Sequence, residues 1–468
     1  MQTLESSSTS SGRRSTPDLV EHLRASFCAG RTRPIEWRRV QLERMHSMLE
    51  REEEAFADAL ATDLGKPTIE GWATELAFVV NEIDYTLEHL DEWMKPQKIH
   101  TPLTSQPARS RIVAEPLGVA LVIAPWNYPL QLLLGPMVGA LAAGNCVVAK
   151  PSEVSAATSH ALAELVPKYL DADCVAVVEG GVPETAELLE QPFDHIFYTG
   201  NGRVGRVVME AAAKRLTPVT LELGGKSPAI VAADARVGVA ARRIAWGRFL
   251  NAGQTCVAPD YVLVERSVAD ELVDGIADAV RDFFGPDPQS SSDYARIVSD
   301  QHFRRLEGLL PGGTAVVGGS GEPATRYFSP TVLTNVDLAA PVMQEEIFGP
   351  ILPVIPVDDV DEAIAFVTAR DKPLALYVFS ESRDTQRAVL DRTSSGGVCI
   401  NHTLLQLSIP ALPFGGVGAS GMGAYHGKAG FDTFTHYKPV LSKPTRPDPR
   451  LGYPPYTTRK EKLLRRLL

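Results

Sequence analysis

The run Asn251-Ala252-Gly253-Gln254-Thr255-Cys256 holds the strongest candidate for covalent chemistry in this chain. A thiolate attacks an electrophilic carbonyl and can leave again from the adduct. Small Ala252 and Gly253 suggest a constrained turn that exposes the thiol, although a cysteine taken alone is more often buried and inert. Cys146, Cys174 and Cys399 lie in apolar, strand-like runs and read as packing, and Cys28 has no chemistry around it. In Leu221-Glu222-Leu223-Gly224-Gly225-Lys226 a carboxylate follows a strand beside two glycines. It is placed to act as a general base, or only to cap a loop. Pro125-Trp126-Asn127-Tyr128-Pro129 ends an apolar run. The Asn127 amide there can donate to an oxyanion, or simply hold a turn between two prolines.

Gly200-Asn201-Gly202-Arg203-Val204-Gly205 matches GxGxxG, follows a strand and opens a helix. Such a loop lets backbone N–H groups approach a pyrophosphate at a helix N-terminus. On that reading Glu222 stands where a ribose ligand is expected, so it carries two alternative roles. A plain glycine-rich turn is the competing reading.

Elements that can hold these residues are legible around them. Helical periodicity runs from Leu19 to Trp93, with Val40, Met45, Leu49, Phe56 and Leu60 at near-helical spacing. Arg111–Ala114 is a short strand. From Val119 strands and helices alternate: strands at 119–124, 146–150, 175–179, 195–198 and 219–221, helices at 130–143, 156–169, 184–190 and 203–214. That pattern predicts a parallel, doubly wound sheet, whose ligands bind at the carboxyl ends of its strands. After Gly224-Gly225 a second alternating region runs to about Gly397, with a loop at Gly285–Ser292. A glycine-rich stretch follows, containing Gly415, Gly416, Gly418 and Gly421.

The bulk properties exclude several classes. With 468 residues, two or three domains are expected. The net charge of -11 and the lack of a long basic tract argue against nucleic-acid binding. Five cysteines without a CxxC pair fit neither a disulfide framework nor a zinc site, so no metal is expected. Residues 1–17, rich in Ser and Thr, read as a disordered tail without a signal peptide's apolar core. No apolar run is long enough to cross a bilayer. Arg459–Leu468 sets basic residues against leucines at helical spacing. Four leucines bury too little for anchoring, so no membrane contact is expected and a cytoplasmic protein is.

Taken in order, Trp126-Asn127, Lys150-Pro-Ser-Glu153, Thr199-Gly200, Glu222-Leu-Gly-Gly-Lys226, Gly253-Gln-Thr-Cys256, Glu345-Glu-Ile-Phe-Gly-Pro350 and Pro413-Phe-Gly-Gly416 resemble the aldehyde dehydrogenase superfamily over residues 18 to 456. Ala258-Pro259-Asp260-Tyr261, Gly421-Met-Gly-Ala-Tyr-His426 and Tyr453-Pro-Pro-Tyr456 resemble its class 3 branch. The resemblance implies two doubly wound α/β domains and a small β oligomerisation element. It assigns 18–96 and 118–222 to an NAD(P)-binding domain, 223–405 to a catalytic domain, 97–117 and 406–445 to oligomerisation, and 446–468 to a tail. It implies Cys256 as nucleophile, Asn127 as oxyanion donor and Glu222 as base rather than ribose ligand. It places NAD or NADP against Trp126, Lys150, Glu153, Thr199, the Gly200–Gly205 loop (Gly200, Asn201, Gly202, Arg203, Val204, Gly205), Glu346 and Phe348. The implied reaction turns a medium- or long-chain aliphatic or aromatic aldehyde into an acid through a thioester, in a homodimer. The alternatives are a CoA-acylating enzyme, which Glu222 disfavours, and a silent relative with a binding role, which the joint presence of Cys256, Glu222 and Asn127 disfavours.

Overall fold

Ser15 caps the first helix, so the tail expected to reach residue 17 gives way to helix at Thr16. The computed structural model describes residues 14–448 and 450–467; the rest of that expected tail, 1–13, lies outside them. Five helices come first: α1 (Thr16–Cys28), α2 (Ile35–Arg51), α3 (Glu53–Leu64), α4 (Thr68–Gly71) and α5 (Ala77–Met94). Leu42, Met45, Met48 and Leu49 form the buried stripe of α2, and Phe56 and Leu60 that of α3. Val40 is exposed, because it lies off the stripe that those spacings define. Between α4 and α5, Trp72–Leu76 makes one π-helical turn that buries Glu75.

Two strands follow, β1 (Gln97–Ile99) and β2 (Arg109–Pro116). The alternating region then comprises β3 (Val119–Ile123), α6 (Gln131–Ala143), β4 (Cys146–Lys150), α7 (Ala156–Tyr169), β5 (Val175–Val177), α8 (Val182–Leu189), β6 (His195–Thr199), α9 (Gly202–Ala213) and β7 (Val219–Glu222). Every residue of β3, β4 and β6 is buried, as in a parallel sheet covered on both faces. The second region holds β8 (Pro228–Val231), α10 (Val237–Phe249), β9 (Tyr261–Glu265), α11 (Ala269–Phe284), α12 (Asp300–Glu307), β10 (Thr314–Val317), β11 (Gly321–Glu322), β12 (Tyr327–Phe328), β13 (Thr331–Thr334), α13 (Pro341–Gln344), β14 (Ile351–Val357), α14 (Val360–Thr368), β15 (Ala375–Phe379), α15 (Arg383–Arg392) and β16 (Gly397–Ile400). The chain ends with β17 (Gly421–Met422), α16 (Gly427–Thr433), β18 (Thr435–Ser442) and α17 (Thr458–Leu467).

The first sheet has the order β17-β7-β6-β3-β4-β5 and the second β10-β13-β14-β9-β8-β15-β16. All pairs are parallel except the edge pairs made by β17 and β10. Each sheet has its own hydrophobic core. A third sheet, β1-β2-β18, is antiparallel. Of the stretches grouped for oligomerisation, 97–116 and 435–442 share this sheet. The intervening segment instead serves the first body: β17 pairs with β7, and α16 packs on α6. At that crossing a Cβ on Gly139 would lie 2.8 Å from the Gly430 carbonyl. In the tail, α17 stands largely exposed.

Asn145 locks these pieces together. Its Oδ1 accepts from Gly118 N at 2.9 Å, and its Nδ2 donates to Ala140 O at 3.1 Å and Phe434 O at 2.9 Å. Asn145→Ala removes the side-chain partner of the buried Gly118 N–H and of the Phe434 carbonyl, while Ala140 O keeps its bond from Asn145 N. It should cost ~2–5 kcal/mol, read as a lowered denaturation midpoint with an unchanged m-value.

Candidate active site

Parallel strands end on a common edge, and this topology gathers most of the candidate residues. Trp126-Asn127 follows β3, Lys150 ends β4, Thr199 ends β6 and Glu222 ends β7, with Ile123 opposite Lys150 and Thr199 opposite Glu222. The second body brings Cys256 from the segment between α10 and β9, and Glu346 and Phe348 from the segment before β14.

The turn ahead of the cysteine is strained. Asn251, Ala252 and Gly253 have φ of 51°, 50° and 73°. Such backbone costs about 1–3 kcal/mol at each non-glycine residue and persists only where the surroundings impose it. A Cβ on Gly253 would lie 2.2 Å from the Gly349 carbonyl oxygen, so only glycine fits there. The turn delivers Cys256, partly exposed, to a cavity of about 210 Å³. Phe78, Leu132, Trp246, Leu405, Phe414 and Tyr425 are among its walls, and most of its lining is apolar. Burial pushes the Cys256 thiol up to about 12, helped by the charges of Glu346 and Glu222 and opposed by the Cys256 and Val257 N–H groups.

Asn127 is buried, and its Nδ2 donates to the Gln254 carbonyl at 3.0 Å, which leaves a second N–H on that nitrogen. The Glu222 carboxyl is sealed, with neither oxygen hydrogen-bonded among the described residues, and burial raises it well above the usual carboxylate range. Its backbone carbonyl accepts from Gly200 N at 2.9 Å, tying β7 to the end of β6.

Farther along the edge, Lys150 Nζ donates to Pro151 O at 2.7 Å and lies 3.7 Å from Glu153, whose side chain is half exposed. Burial pulls the Lys150 pKa down. Trp126 meets Phe348 edge-on at 5.3 Å between ring centroids. The Glu346 carboxyl lies over Gly224, where an added Cβ would come within 2.1 Å of its Oε2. Burial, then Asp260, raises Glu346 to about 8, while the Gly225 N–H opposes the rise. Among the described residues Thr199 Oγ1, both Glu222 oxygens and Glu346 Oε1 are buried without partners, so this edge presents polar atoms prepared for a bound group. Together with a lysine and a half-exposed carboxylate they fit a nicotinamide dinucleotide.

The GxGxxG loop also has local structural duties. None of Gly200, Gly202 and Gly205 adopts a left-handed φ. Asn201 Oδ1 accepts from Val204 N at 3.0 Å and so caps α9 itself. Arg203 is exposed, and Gly205 lets α9 pack close on Leu223, 3.0 Å from where its Cβ would be.

Sequence reasoning missed the layer beneath the site. Lys66 Nζ pairs with Glu75 Oε1 at 2.5 Å, donates to Asn127 O at 3.1 Å and lies 4.2 Å from the Tyr128 ring centre. Glu75 Oε2 accepts from Leu130 N at 2.8 Å, and Tyr128 Oη bonds Thr255 Oγ1 at 2.7 Å. Among the described residues no group of three or more His, Cys, Asp or Glu is arranged to hold a metal ion.

A doubly wound nucleotide edge facing a thiol at the foot of an apolar cavity defines the class, a nicotinamide-linked oxidoreductase. The chain belongs to the aldehyde dehydrogenase family, whose family model, described as "Aldehyde dehydrogenase family", matches residues 7–440. It is 50% identical to "Aldehyde dehydrogenase family 3 member A2" of Mus musculus, over 93% of this chain and 90% of that protein. It is 48% identical to "Aldehyde dehydrogenase, dimeric NADP-preferring" of Canis lupus familiaris, over 94% and 97%. A solved structure of Staphylococcus aureus AldH in a substrate-bound state superposes with a TM-score of 0.94 at 44% identity, covering 97% of this chain and 99% of that one. The chain is thus an aldehyde dehydrogenase of the class 3 type, with NAD or NADP as cofactor.

Lys66→Met leaves the Glu75 carboxylate buried and unpaired, which should cost about 3–5 kcal/mol. Lys66→Met with Glu75→Gln should recover part of that loss. Chemical denaturation of the two variants checks both, and equal stabilities would exclude a charge effect.

Proposed function

We propose that this protein oxidises apolar aldehydes, aliphatic or aromatic, to carboxylic acids through a thioester on Cys256. The observation that carries this reading is the Cys256 thiol lining an apolar cavity, within electrostatic reach of the buried Glu222 carboxyl. The Cys256 sulfur bonds to the carbonyl carbon, and the thiol proton passes through water to solvent; Glu222 serves as the base of the later hydrolysis. We choose Glu222 over Glu346 because the Gly225 N–H already engages Glu346. The free N–H of Asn127 and the Cys256 backbone N–H hold the oxyanion. NAD or NADP, which Lys150 and Glu153 would hold at one end and Glu346 and Phe348 at the other, would accept the hydride that leaves the carbon as the thioester forms, with Trp126 and Thr199 lining the edge between. Glu222, in its ionised form, takes a proton from water as the water oxygen bonds to the thioester carbon; the C–S bond then breaks, the Cys256 sulfur regains that proton and the acid leaves.

The β1-β2-β18 sheet leaves edge strands, and pairing them across a two-fold axis covers them. We therefore propose a homodimer, in keeping with the relative named dimeric. Five free cysteines suit a reducing, cytoplasmic setting.

Cys256→Ala should abolish turnover while leaving cofactor affinity intact, measured by cofactor fluorescence titration. With straight-chain aldehydes kcat/KM should rise about fourfold per added methylene until the cavity is filled, since each buried CH₂ contributes ~0.8 kcal/mol. A flat series would contradict the apolar reading.

Glu222 is a base only when ionised, and its raised pKa means that this form grows as pH rises. Thioester hydrolysis should therefore accelerate with pH. Glu222→Gln should show a burst of reduced cofactor followed by slow turnover without that pH limb. Weakened cofactor binding without a burst would return Glu222 to the ribose role.

A further inference from the structure

The strained turn before Cys256 is held partly by a residue far from it in the chain. Glu70 lies on α4, a short helix of the N-terminal segment, and its Oε1 accepts from Asn251 N at 2.9 Å. Asn251 is the first of three consecutive residues with left-handed φ, and Cys256 follows shortly after. From the pinned position, the Asn251 side chain donates to Asn127 O at 2.9 Å and to Gln254 O at 3.2 Å. Gln254 O also accepts the Asn127 amide, so one loop anchor orients both the thiol's turn and the oxyanion donor.

The far side of the turn has separate supports. Gln254 Nε2 donates to Arg296 O at 3.0 Å, and its Oε1 accepts from Val298 N at 2.9 Å. Those bonds keep the loop folded without Glu70, and Gln254 also holds the Asn251 carbonyl, so what Glu70 adds is the anchor on the Asn251 N–H, where the left-handed stretch begins. The stretch that carries Glu70 also supplies a cavity wall. Ala73 and Thr74 line the cavity, and Thr74 Oγ1 donates to Glu70 O at 2.7 Å.

We infer that Glu70 is a positioning residue for the nucleophile: through the Asn251 N–H it holds the strained turn that aims Cys256 and the Asn127 amide at the same carbonyl. This rests on Cys256 being the nucleophile. Glu70 touches neither aldehyde nor cofactor; a hydrogen-bond acceptor at the Oε1 position is what the turn needs. Burial pushes the Glu70 carboxyl up to about 7, against the Lys66 cation and the Asn251 N–H, and both its protonation states keep an oxygen able to accept.

The test compares Glu70→Ala, Glu70→Gln and Cys256→Ala in the full-length protein, with pre-steady-state bursts of reduced cofactor on a straight-chain aldehyde. Glu70→Ala should lower the burst rate about 10–100-fold, the scale of a small misplacement of reacting groups, while the KM for aldehyde and the Kd for cofactor stay near normal. Glu70→Gln, with an amide oxygen in the same place, should restore most of the rate. Should Glu70→Ala fail to fold, Glu70→Asp, which shortens the reach by one methylene, replaces it in the comparison with Gln. A native burst in Glu70→Ala, or a Gln variant no faster than the Ala or Asp variant, overturns the inference. A burst that survives in Cys256→Ala overturns the thiol reading beneath it instead.

Discussion

Asn127 crosses from the first α/β body to the second, its amide donating to the Gln254 carbonyl while its own carbonyl accepts from Lys66 and Asn251. Neither body contains a complete site. The first holds the nucleotide edge, Glu222 and Asn127; the second holds Cys256, Glu346 and Phe348. Distances of 2.9 to 3.1 Å around one buried residue therefore tie the segment that carries the thiol to the sheet that carries Glu222. A local shift at either strand edge would be felt at all of these bonds, because buried polar groups have no water to turn to.

The electrostatic character of the site follows from the same burial. Glu222, Glu346 and Glu70 all hold their protons above the usual carboxylate range, and Cys256 holds its own up to about 12. In each case loss of water is the largest cause. Burial thus works against charge throughout this site. Lys66 and Glu75 are the exception, a buried ion pair that spends its charge on the Asn127, Leu130 and Gln131 backbone.

The sequence was most legible where burial was two-sided. Parallel strands such as Val119–Ile123 and Cys146–Lys150 are unbroken apolar runs, and helices such as Ala156–Tyr169 fill the gaps between them, so the nucleotide edge could be drawn from composition alone. The motif residues at strand ends also came together as expected. Lys66, Glu70 and Glu75 were not legible, because charges beside an amphipathic helix look like a solvated face. Only the π-helical turn at Trp72–Leu76 rotates Glu75 inward. The two-residue strand Gly421–Met422 has no periodicity to read. The GxGxxG pattern has structural duties of its own: its asparagine caps the helix and its last glycine serves helix–strand packing.

That two-residue strand bears on how the chain is assembled. Gly421 pairs with Glu222, and a Cβ there would lie 2.2 Å from the Leu221 carbonyl oxygen. The strand carrying Glu222 thus has its outer edge covered only by a segment made nearly two hundred residues later. During synthesis the first sheet leaves the ribosome with β7 as an open edge, and it stays so until the second body has emerged. Contacts of such long sequence separation form slowly, since a large loop must close first. The nascent chain therefore passes through a stage in which an apolar strand is available to other chains, the period when a chaperone would be of most use to it.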